Sequence, residues 1–125
     1  MSVLVDTSVW IAYFRGAANL TAVDALIDQN LLATNDLLLA ELIPYLRIQR
    51  QSRLIRLMQT IPRCPLTIRW DEIIDMQVLC LRHGINKVGL PDLIIGQNAI
   101  QNGLALFTLD RHFSLMSKYM PLSLH

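Results

Sequence analysis

The sequence predicts an α/β fold in which a mostly parallel sheet carries helices on both faces. Short apolar runs alternate with longer segments of helical periodicity, and this alternation is typical of strand–helix–strand crossovers. No Asn-Gly hairpin turn separates two neighbouring predicted strands, which argues against an antiparallel meander. The chain has 125 residues, a length that fits one hydrophobic core. We therefore expect residues 1–125 to form a single, doubly wound domain.

The first third of the chain predicts two strands with two helices between them. Residues 3–5 (VLV) form a short apolar run, and the following DTS supplies helix-capping side chains for a helix that begins near Val9 and ends near Gly16. Residues 21–30 (TAVDALIDQN) are amphipathic and predict a second helix. Residues 31–34 (LLAT) predict a buried strand.

The middle of the chain is predicted to be mainly helical. Residues 34–36 (TND) cap a helix over 37–46, where we expect Pro44 to cause a bend or end the regular hydrogen bonding. A further helix over 52–59 follows a break near Gln51. Residues 66–68 (LTI) predict a short strand.

The last third predicts two helices, a strand and a short C-terminal piece. One helix begins at Asp71 and stops at Gly84. The next begins at LPD, with Pro91 in its first turn, and ends before Gly103. Residues 104–108 (LALFT) predict a strand and residues 109–113 a turn.

Composition limits the classes of protein that fit. Hydrophobic residues make up 53% of the chain, which is high for a monomer of this size and favours a partner that covers apolar surface. The net charge of +1 means that any polyanion must bind to a local patch. No segment predicts a membrane span or a secretion signal, and the two cysteines lack the number or spacing of a disulfide framework. We expect a cytoplasmic protein.

Four acidic residues stand where an α/β fold places its ligand sites. Asp6 and Asp110 follow predicted strands, and Asp92 lies in the first turn of a helix, so all three are expected at the carboxyl edge of the sheet. Glu41 lies mid-helix on a largely apolar face. Taken singly, Asp6 could be only a helix cap, Asp92 a partner of the helix dipole, Asp110 a turn residue, and Glu41 a side chain that reaches solvent.

Together these carboxylates favour a metal site. They would repel one another unless a divalent cation or raised pKa values relieved the repulsion. Carboxylate oxygens suit Mg²⁺ or Mn²⁺. No competing nucleophile arrangement is evident, because the three histidines lack metal-motif or triad spacing.

The order and spacing of these pieces resemble one known family over nearly the whole chain. VLVDTSVWI, LLLAEL and GLPDLIIGQNAIQNGLALFTLDRHF are similar to the PIN-domain ribonucleases, specifically the VapC toxins of bacterial and archaeal toxin–antitoxin pairs. The resemblance implies a three-layer sandwich around a mostly parallel sheet. Gln97, Asn98 and Pro44 depart from the family pattern, and Pro44 lies close to Glu41.

The resemblance also implies an activity. A metal-dependent endoribonuclease of this kind would hold Mg²⁺ or Mn²⁺ through Asp6, Glu41, Asp92 and Asp110, with supporting hydroxyls from Thr7 or Ser8 and from Thr108. The implied partners are RNA, a cognate antitoxin that covers the acidic pocket, and a second copy of the chain in a homodimer. The alternatives are a PIN nuclease that processes RNA without being a toxin, and a non-catalytic PIN-like module that binds RNA or protein.

Basic residues give only weak signals for RNA binding. Arg47 and Arg50 belong to a series that recurs every third residue, with Arg53 and Arg56, and such a series is most simply a solvated face. Arg111 and His112 follow Asp110, and His112 is the best candidate to contact a substrate phosphate. Four aromatic residues are most simply core or interface residues, namely Trp10, Tyr13, Phe14 and Trp70.

A phosphate-handling α/β domain is the rival enzyme class. An aspartate-nucleophile phosphatase needs a second aspartate two residues after the first, where this chain has Ser8. A phosphotransfer receiver needs a lysine at the end of a strand, and ALFTLD offers none. Neither pattern is complete.

Overall fold

The computed structural model describes residues 1–17 and 21–125, which form a parallel sheet between two layers of helices. The strands are β1 (Val3–Val5), β2 (Leu32–Ala33) and β3 (Ala105–Phe107). Their order is β2-β1-β3, and both pairings are parallel. The predicted α/β class and parallel sheet are confirmed, with β1 at the centre.

Two single bridges widen this sheet at its edges. Thr34 pairs with Arg63 beyond β2, and Leu106 pairs with Leu124 beyond β3. The second bridge is closed by main-chain hydrogen bonds from Leu106 N to Ser123 O and from His125 N to Leu106 O, both 2.9 Å long. The C-terminal segment therefore covers the open edge of β3.

Helices connect the strands and fill both outer layers. They are α1 (Thr7–Phe14), α2 (Thr21–Asp28), α3 (Asp36–Ile48), α4 (Ser52–Thr60), α5 (Trp70–Arg82), α6 (Leu90–Gln101) and α7 (Arg111–Met116). None of the helices in the described ranges has the length and hydropathy that a membrane crossing requires.

Alternate residues of β1 supply the two cores. Val3 and Val5 pack into the cluster formed mainly by α1 to α4, whereas Leu4 packs into the cluster formed mainly by α5, α6 and α7. This is the expected result of the two-residue repeat of a strand that has helices on both faces. Leu4 and Val5 are completely buried, so β1 is held rigidly on both sides.

Most helix boundaries agree with the predictions to within two residues. Helix α1 begins at Thr7 and α5 at Trp70, and the predicted break at Gln51 separates α3 from α4. Gly84 and Gly103 follow the ends of α5 and α6 with φ of 69° and 61°, the left-handed conformation that favours glycine at helix ends. Helix α3 continues through the exposed Pro44 to Ile48. The helix therefore does not end at Pro44, and the predicted bend there stays a prediction.

The predicted strand over 66–68 is also wrong, and side chains of α6 explain why. Asn98 Nδ2 donates to the carbonyl of Pro65 at 3.1 Å, and Gln101 Nε2 donates to the carbonyl of Thr67 at 2.9 Å. These amides occupy carbonyls that a neighbouring strand would otherwise use. The segment is extended along α6 and does not join the sheet.

Candidate metal centre

Asp6 lies at the carboxyl end of the central strand. Its backbone N–H donates to the carbonyl of Phe107 at 2.9 Å, which ties the end of β1 to the end of β3. The residue is only 6% exposed, although a buried carboxylate is costly unless it is paired or hydrogen-bonded. A functional requirement would explain why the sequence places it there.

Two hydroxyl groups hold one oxygen of Asp6. Ser8 Oγ and Thr108 Oγ1 donate to Asp6 Oδ2 at 2.7 and 2.9 Å. Asp6 occupies the N-cap position of α1, but its side chain makes no capping hydrogen bond. The interpretation of Asp6 as only a helix cap is therefore excluded.

The same hydroxyls fix the loop that carries Asp110. Ser8 Oγ accepts from Leu109 N at 3.1 Å, and Thr108 Oγ1 accepts from Asp110 N at 3.0 Å. Each hydroxyl thus donates to the Asp6 carboxylate and accepts from the backbone after β3. The loop after β3 is held against the end of β1, so Asp6 and Asp110 keep a fixed relation.

Asp110 also caps helix α7, whereas the sequence suggested a turn residue as its local role. Its Oδ1 accepts from the backbone N–H of His112 at 2.9 Å and lies 3.0 Å from His112 Nδ1. Both side chains are 32% exposed. A local capping role and a place in the acidic cluster coexist in this residue.

Asp92 faces this loop from the first turn of α6. Partial burial raises the pKa of its carboxyl group, and the negative charges of Asp110 and Asp6 raise it further. His112 and the Gly89 N–H oppose the shift. Burial and the two neighbouring carboxylates therefore outweigh the groups that favour the charged form of Asp92.

Glu41 approaches the cluster from α3. The residue is exposed, but its Oε1 lies 3.4 Å from Thr7 Oγ1, which donates to it. Partial burial of the carboxyl group raises its pKa, followed by the charges of Asp6 and Asp92. The side chain therefore reaches solvent along its stem and still contributes its charge to the site.

The fold thus brings the four acidic residues to one edge of the sheet, with the supporting hydroxyls of Thr7, Ser8 and Thr108. Within residues 1–17 and 21–125, no lysine or arginine forms an ion pair with any of the four carboxylates. The cluster has an excess of negative charge that the described protein leaves largely uncompensated, and this fits a cation.

His112 is a member of the cluster that the sequence reasoning assigned only to phosphate contact. One potential ligand atom each from Asp92, Asp110 and His112 lies within 4.8 Å of the other two. The spacing Asp-x-His after a strand is a usable signal, because a capping aspartate brings the second following residue back to its carboxylate.

The arginines named as possible RNA contacts do not enter the cluster. Arg111 is exposed on the first turn of α7, next to Asp110. Arg47 and Arg50 are exposed near the C-terminal end of α3, and Arg47 shares a surface depression with Asp36 and Arg63. Their contact with RNA stays a prediction.

Comparison with known families identifies the domain that contains this acidic cluster. The model of the PIN domain matches residues 3–119. The chain belongs to the PIN domain family. The resemblance read from the sequence is thereby confirmed, and the acidic edge of this PIN domain lies within the matched range. No curated protein sequence matches the chain.

Solved structures share the PIN fold at low sequence identity. The structure of VapBC2 from Rickettsia felis, bound to a DNA fragment from its promoter, matches with a TM-score of 0.77 and 18% identity, over 100% of this chain and 98% of the matched one. FitAcB from Neisseria gonorrhoeae matches with a TM-score of 0.73 and 20% identity, over 98% and 95%. At these identities the likeness establishes the fold.

The donor set of this PIN domain fits a divalent metal ion. The groups that converge are mainly carboxylates, which suit Mg²⁺ or Mn²⁺, and one imidazole lies beside them. The carboxyl groups of Glu41 and Asp92 have raised pKa values, and a cation among the carboxylates would reverse that shift. Asp92, Asp110 and His112 are the residues whose ligand atoms lie close enough together to hold an ion, and Asp6 and Glu41 add negative charge beside them.

Proposed function

We propose that this PIN domain is a metal-dependent endoribonuclease, with Asp6, Glu41, Asp92 and Asp110 as its metal-binding and catalytic residues. The observation that carries the proposal is the anchoring of Asp6. Its carboxylate lies at the end of a completely buried strand and receives two hydroxyl hydrogen bonds on one oxygen. Such rigid placement of an uncompensated charge is what a metal ligand needs.

The protein's own groups position the reaction. Bound Mg²⁺ or Mn²⁺ supplies a more acidic water and neutralises charge on the phosphate. Ser8 and Thr108 orient the Asp6 carboxylate and hold the Asp110 loop beside it. Asp110 orients the His112 imidazole through Nδ1, and Nε2 of that ring donates to a substrate phosphate only when the ring is protonated. The exposed Arg111 would add attraction for the RNA backbone without selecting a sequence.

A cleavage assay tests the nuclease. Purified protein should cut RNA in Mg²⁺ or Mn²⁺ and stop when EDTA is added, and Asp6→Asn should be inactive. The matched control is Asp28→Asn, which removes a carboxylate from the exposed end of α2 and should leave activity unchanged. RNA binding without cleavage by the wild-type protein would instead favour a non-catalytic module.

We further propose that the nuclease is a growth-inhibiting toxin with a cognate antitoxin. Besides the family resemblance, two exposed leucines support a protein that covers the site. Leu109, 57% exposed, precedes Asp110, and Leu90, 52% exposed, begins the helix that carries Asp92. Exposed leucines next to two residues of the acidic cluster suit a partner that carries apolar anchors and a basic side chain.

Induced expression tests the toxin role. Expression of this chain alone should arrest growth, and co-expression with the product of the adjacent small gene should restore it. The Asp6→Asn protein should not arrest growth. Normal growth with active wild-type enzyme would favour an RNA-processing nuclease that is not a toxin.

A further inference from the structure

Two segments that lead away from the acidic cluster meet at an exposed pair of stacked rings. His83 follows the end of α5, and Tyr119 lies in the turn after α7. Their ring centroids are 3.8 Å apart, and the ring planes differ by only 13°. His83 is exposed and Tyr119 is 42% exposed. Ring surface outside the stack therefore faces solvent, and neither ring belongs to the metal centre.

Exposed basic residues adjoin this stack. Arg82 and Lys118 are the direct sequence neighbours of the two rings, and Lys87 lies on the loop that follows His83. Lys87 and Lys118 are the two lysines of the chain. None of the three basic side chains forms an ion pair within the part of the chain that the structure describes. We call these five residues, which are Arg82, His83, Lys87, Lys118 and Tyr119, the basic–aromatic patch.

Buried residues hold the two segments of the patch together. Ile85 and Val88, from the loop after α5, are buried in the same cluster as Phe113 of α7. The backbone N–H of Tyr119 donates to the carbonyl of Met116 at 3.0 Å. The rings are thus carried by packed backbone, so a ligand that binds them pays little to order the protein.

The patch lies within reach of the metal centre. Asp110 caps α7, and helical turns continue past the end of that helix to Tyr119, nine residues after Asp110. At about 1.5 Å per residue, this path spans roughly 14 Å. A stacked strand rises about 3.4 Å per nucleotide, so roughly four nucleotides cover the distance. A strand held at the metal centre can therefore reach the patch.

The chemistry of the patch suits an unpaired RNA strand. Bases stack on exposed rings, and lysine and arginine bind backbone phosphates without reading the sequence. An acidic peptide would be held mainly by the charges, whereas a nucleic-acid strand uses the charges and the rings together. The position of the patch relative to the acidic cluster also favours a strand that extends from the site of cleavage.

We propose that the basic–aromatic patch is a subsite for an unpaired part of the RNA substrate, a few nucleotides away from the cleaved bond. His83 and Tyr119 stack a base, while Arg82, Lys87 and Lys118 bind the phosphates beside it. The identity of the RNA as substrate rests on the proposed nuclease function. Binding to the patch is nevertheless measurable without cleavage.

Fluorescence anisotropy with the Asp6→Asn protein in Mg²⁺ measures binding in a background that should not cleave. A labelled, unpaired RNA of about 12 nucleotides should bind, and adding Tyr119→Ala should weaken binding by about 10-fold through loss of a base stack. The matched control is Tyr119→Phe, which keeps the ring and should bind within about 2-fold of its parent. Circular dichroism should show native helix in both variants, and His83→Ala supplies a second test should Tyr119→Ala fail to fold.

Salt dependence tests the charged part of the patch. In the same background, Lys118→Ala should reduce the slope of log affinity against log salt by about 0.7, the value for one phosphate contact on a single strand. The matched control is Arg56→Ala, which removes an exposed charge from α4, a helix of the other core layer, and should leave the slope unchanged.

Cleavage by the otherwise wild-type protein links the patch to the substrate. Tyr119→Ala should slow cleavage of the longer RNA at subsaturating concentration and leave cleavage of a dinucleotide, which is too short to reach the patch, unchanged. RNA binding unaffected by both Tyr119→Ala and Lys118→Ala, or a loss confined to antitoxin binding, would overturn the subsite and leave the proposed nuclease intact. Binding through the patch by a wild-type protein that never cleaves would overturn the nuclease and leave an RNA-binding surface.

Discussion

Polar side chains at the two ends of α6 lie in opposite environments, one without partners of opposite charge and the other fully hydrogen-bonded. At the first turn, Asp92 faces the acidic cluster with a raised pKa and no basic partner among the described lysines and arginines. One to two turns later, Gln97 and Asn98 are 3% and 1% exposed and fully engaged by the protein. Asn98 accepts from Asn35 Nδ2 at 3.0 Å and donates to the Pro65 carbonyl.

The difference separates a structural polar site from a functional one. Gln97 Oε1 accepts from the N–H of Arg69 at 3.2 Å, and its Nε2 donates to the Arg69 carbonyl and to Glu72 Oε1, both at 3.1 Å. Both amide hydrogens of Gln97 are therefore used within the protein. At the acidic end the carboxylates repel one another, and no described lysine or arginine pairs with them. The hydroxyls of Ser8 and Thr108 nevertheless hold Asp6 in place. Buried polar groups that satisfy one another stabilise a fold, whereas clustered charges of one sign are kept for a ligand.

The largest effect is expected from a substitution at the acidic end. Asp92→Asn should lower the rate of RNA cleavage by about 100-fold or more, because it removes a charged ligand while keeping the size of the side chain. Cleavage of a labelled RNA under single-turnover conditions measures this. Near-wild-type activity in Asp92→Asn would contradict the assignment of that residue.

A substitution at the amide end of α6 should lower the stability of the protein and leave the rate of RNA cleavage nearly unchanged. Asn98→Ala leaves Asn35 Nδ2 and the Pro65 carbonyl without their buried partner and removes packed atoms, so we expect a loss of about 2 to 3 kcal/mol in the free energy of unfolding. Urea titration measures it. Cleavage activity per folded molecule should stay within a few-fold of wild type, and a large specific loss would show that the two ends are coupled.

A smaller effect concerns stability without metal. Burial and neighbouring charges raise the pKa values of Asp92 and Glu41, so the folded state binds their protons more tightly than the unfolded chain does. Their contribution is most favourable at low pH and is lost as pH rises through the raised pKa values. At neutral pH in EDTA, Asp92→Asn should therefore be more stable than wild type by on the order of 1 kcal/mol.

Thermal unfolding at several pH values checks this prediction. The advantage of Asp92→Asn should shrink as pH falls towards the ordinary carboxyl range. Mn²⁺ should raise the melting temperature of the wild-type protein more than that of the variant. A variant that is less stable than wild type in EDTA at neutral pH would argue against uncompensated repulsion at Asp92.

The smallest effect is expected from the arginines distant from both ends of α6. Arg47→Ala and Arg50→Ala remove exposed charges and should change stability by less than about 0.5 kcal/mol. If these residues contact RNA, each should reduce the salt dependence of binding by about one unit. Fluorescence anisotropy at several salt concentrations measures the slope, and unchanged slopes would assign them to a solvated face.

Local sequence rules could predict much of the acidic edge. Asp6 and Asp110 directly follow apolar runs that form parallel strands, and the carboxyl ends of such strands share one edge. Asp92 follows Pro91 at a helix start. These placements depend on a few neighbouring residues, so a single sequence carries them, while the roles of the same residues in catalysis stay a prediction.

The failures come from contacts that local sequence does not encode. The apolar residues 66–68 read as a strand, but Asn98 and Gln101, about thirty residues later, take the carbonyls of that segment. The sequence placed Glu41 between Leu37 and Tyr45 on α3 but did not show that its carboxyl group accepts from Thr7 of a separate helix. Pro44 was predicted to bend its helix or to end its regular hydrogen bonding, yet the residue is solvent-exposed and the helix continues to Ile48.

A manganese-soaked crystal, measured for anomalous scattering, tests the account most directly. We expect an anomalous peak among the carboxylates of Asp6, Asp92 and Asp110, on the side of the cluster that Glu41 approaches, and no such peak at the amide end of α6. A crystal of the folded wild-type protein at saturating Mn²⁺ with no peak at these carboxylates would contradict the metal centre.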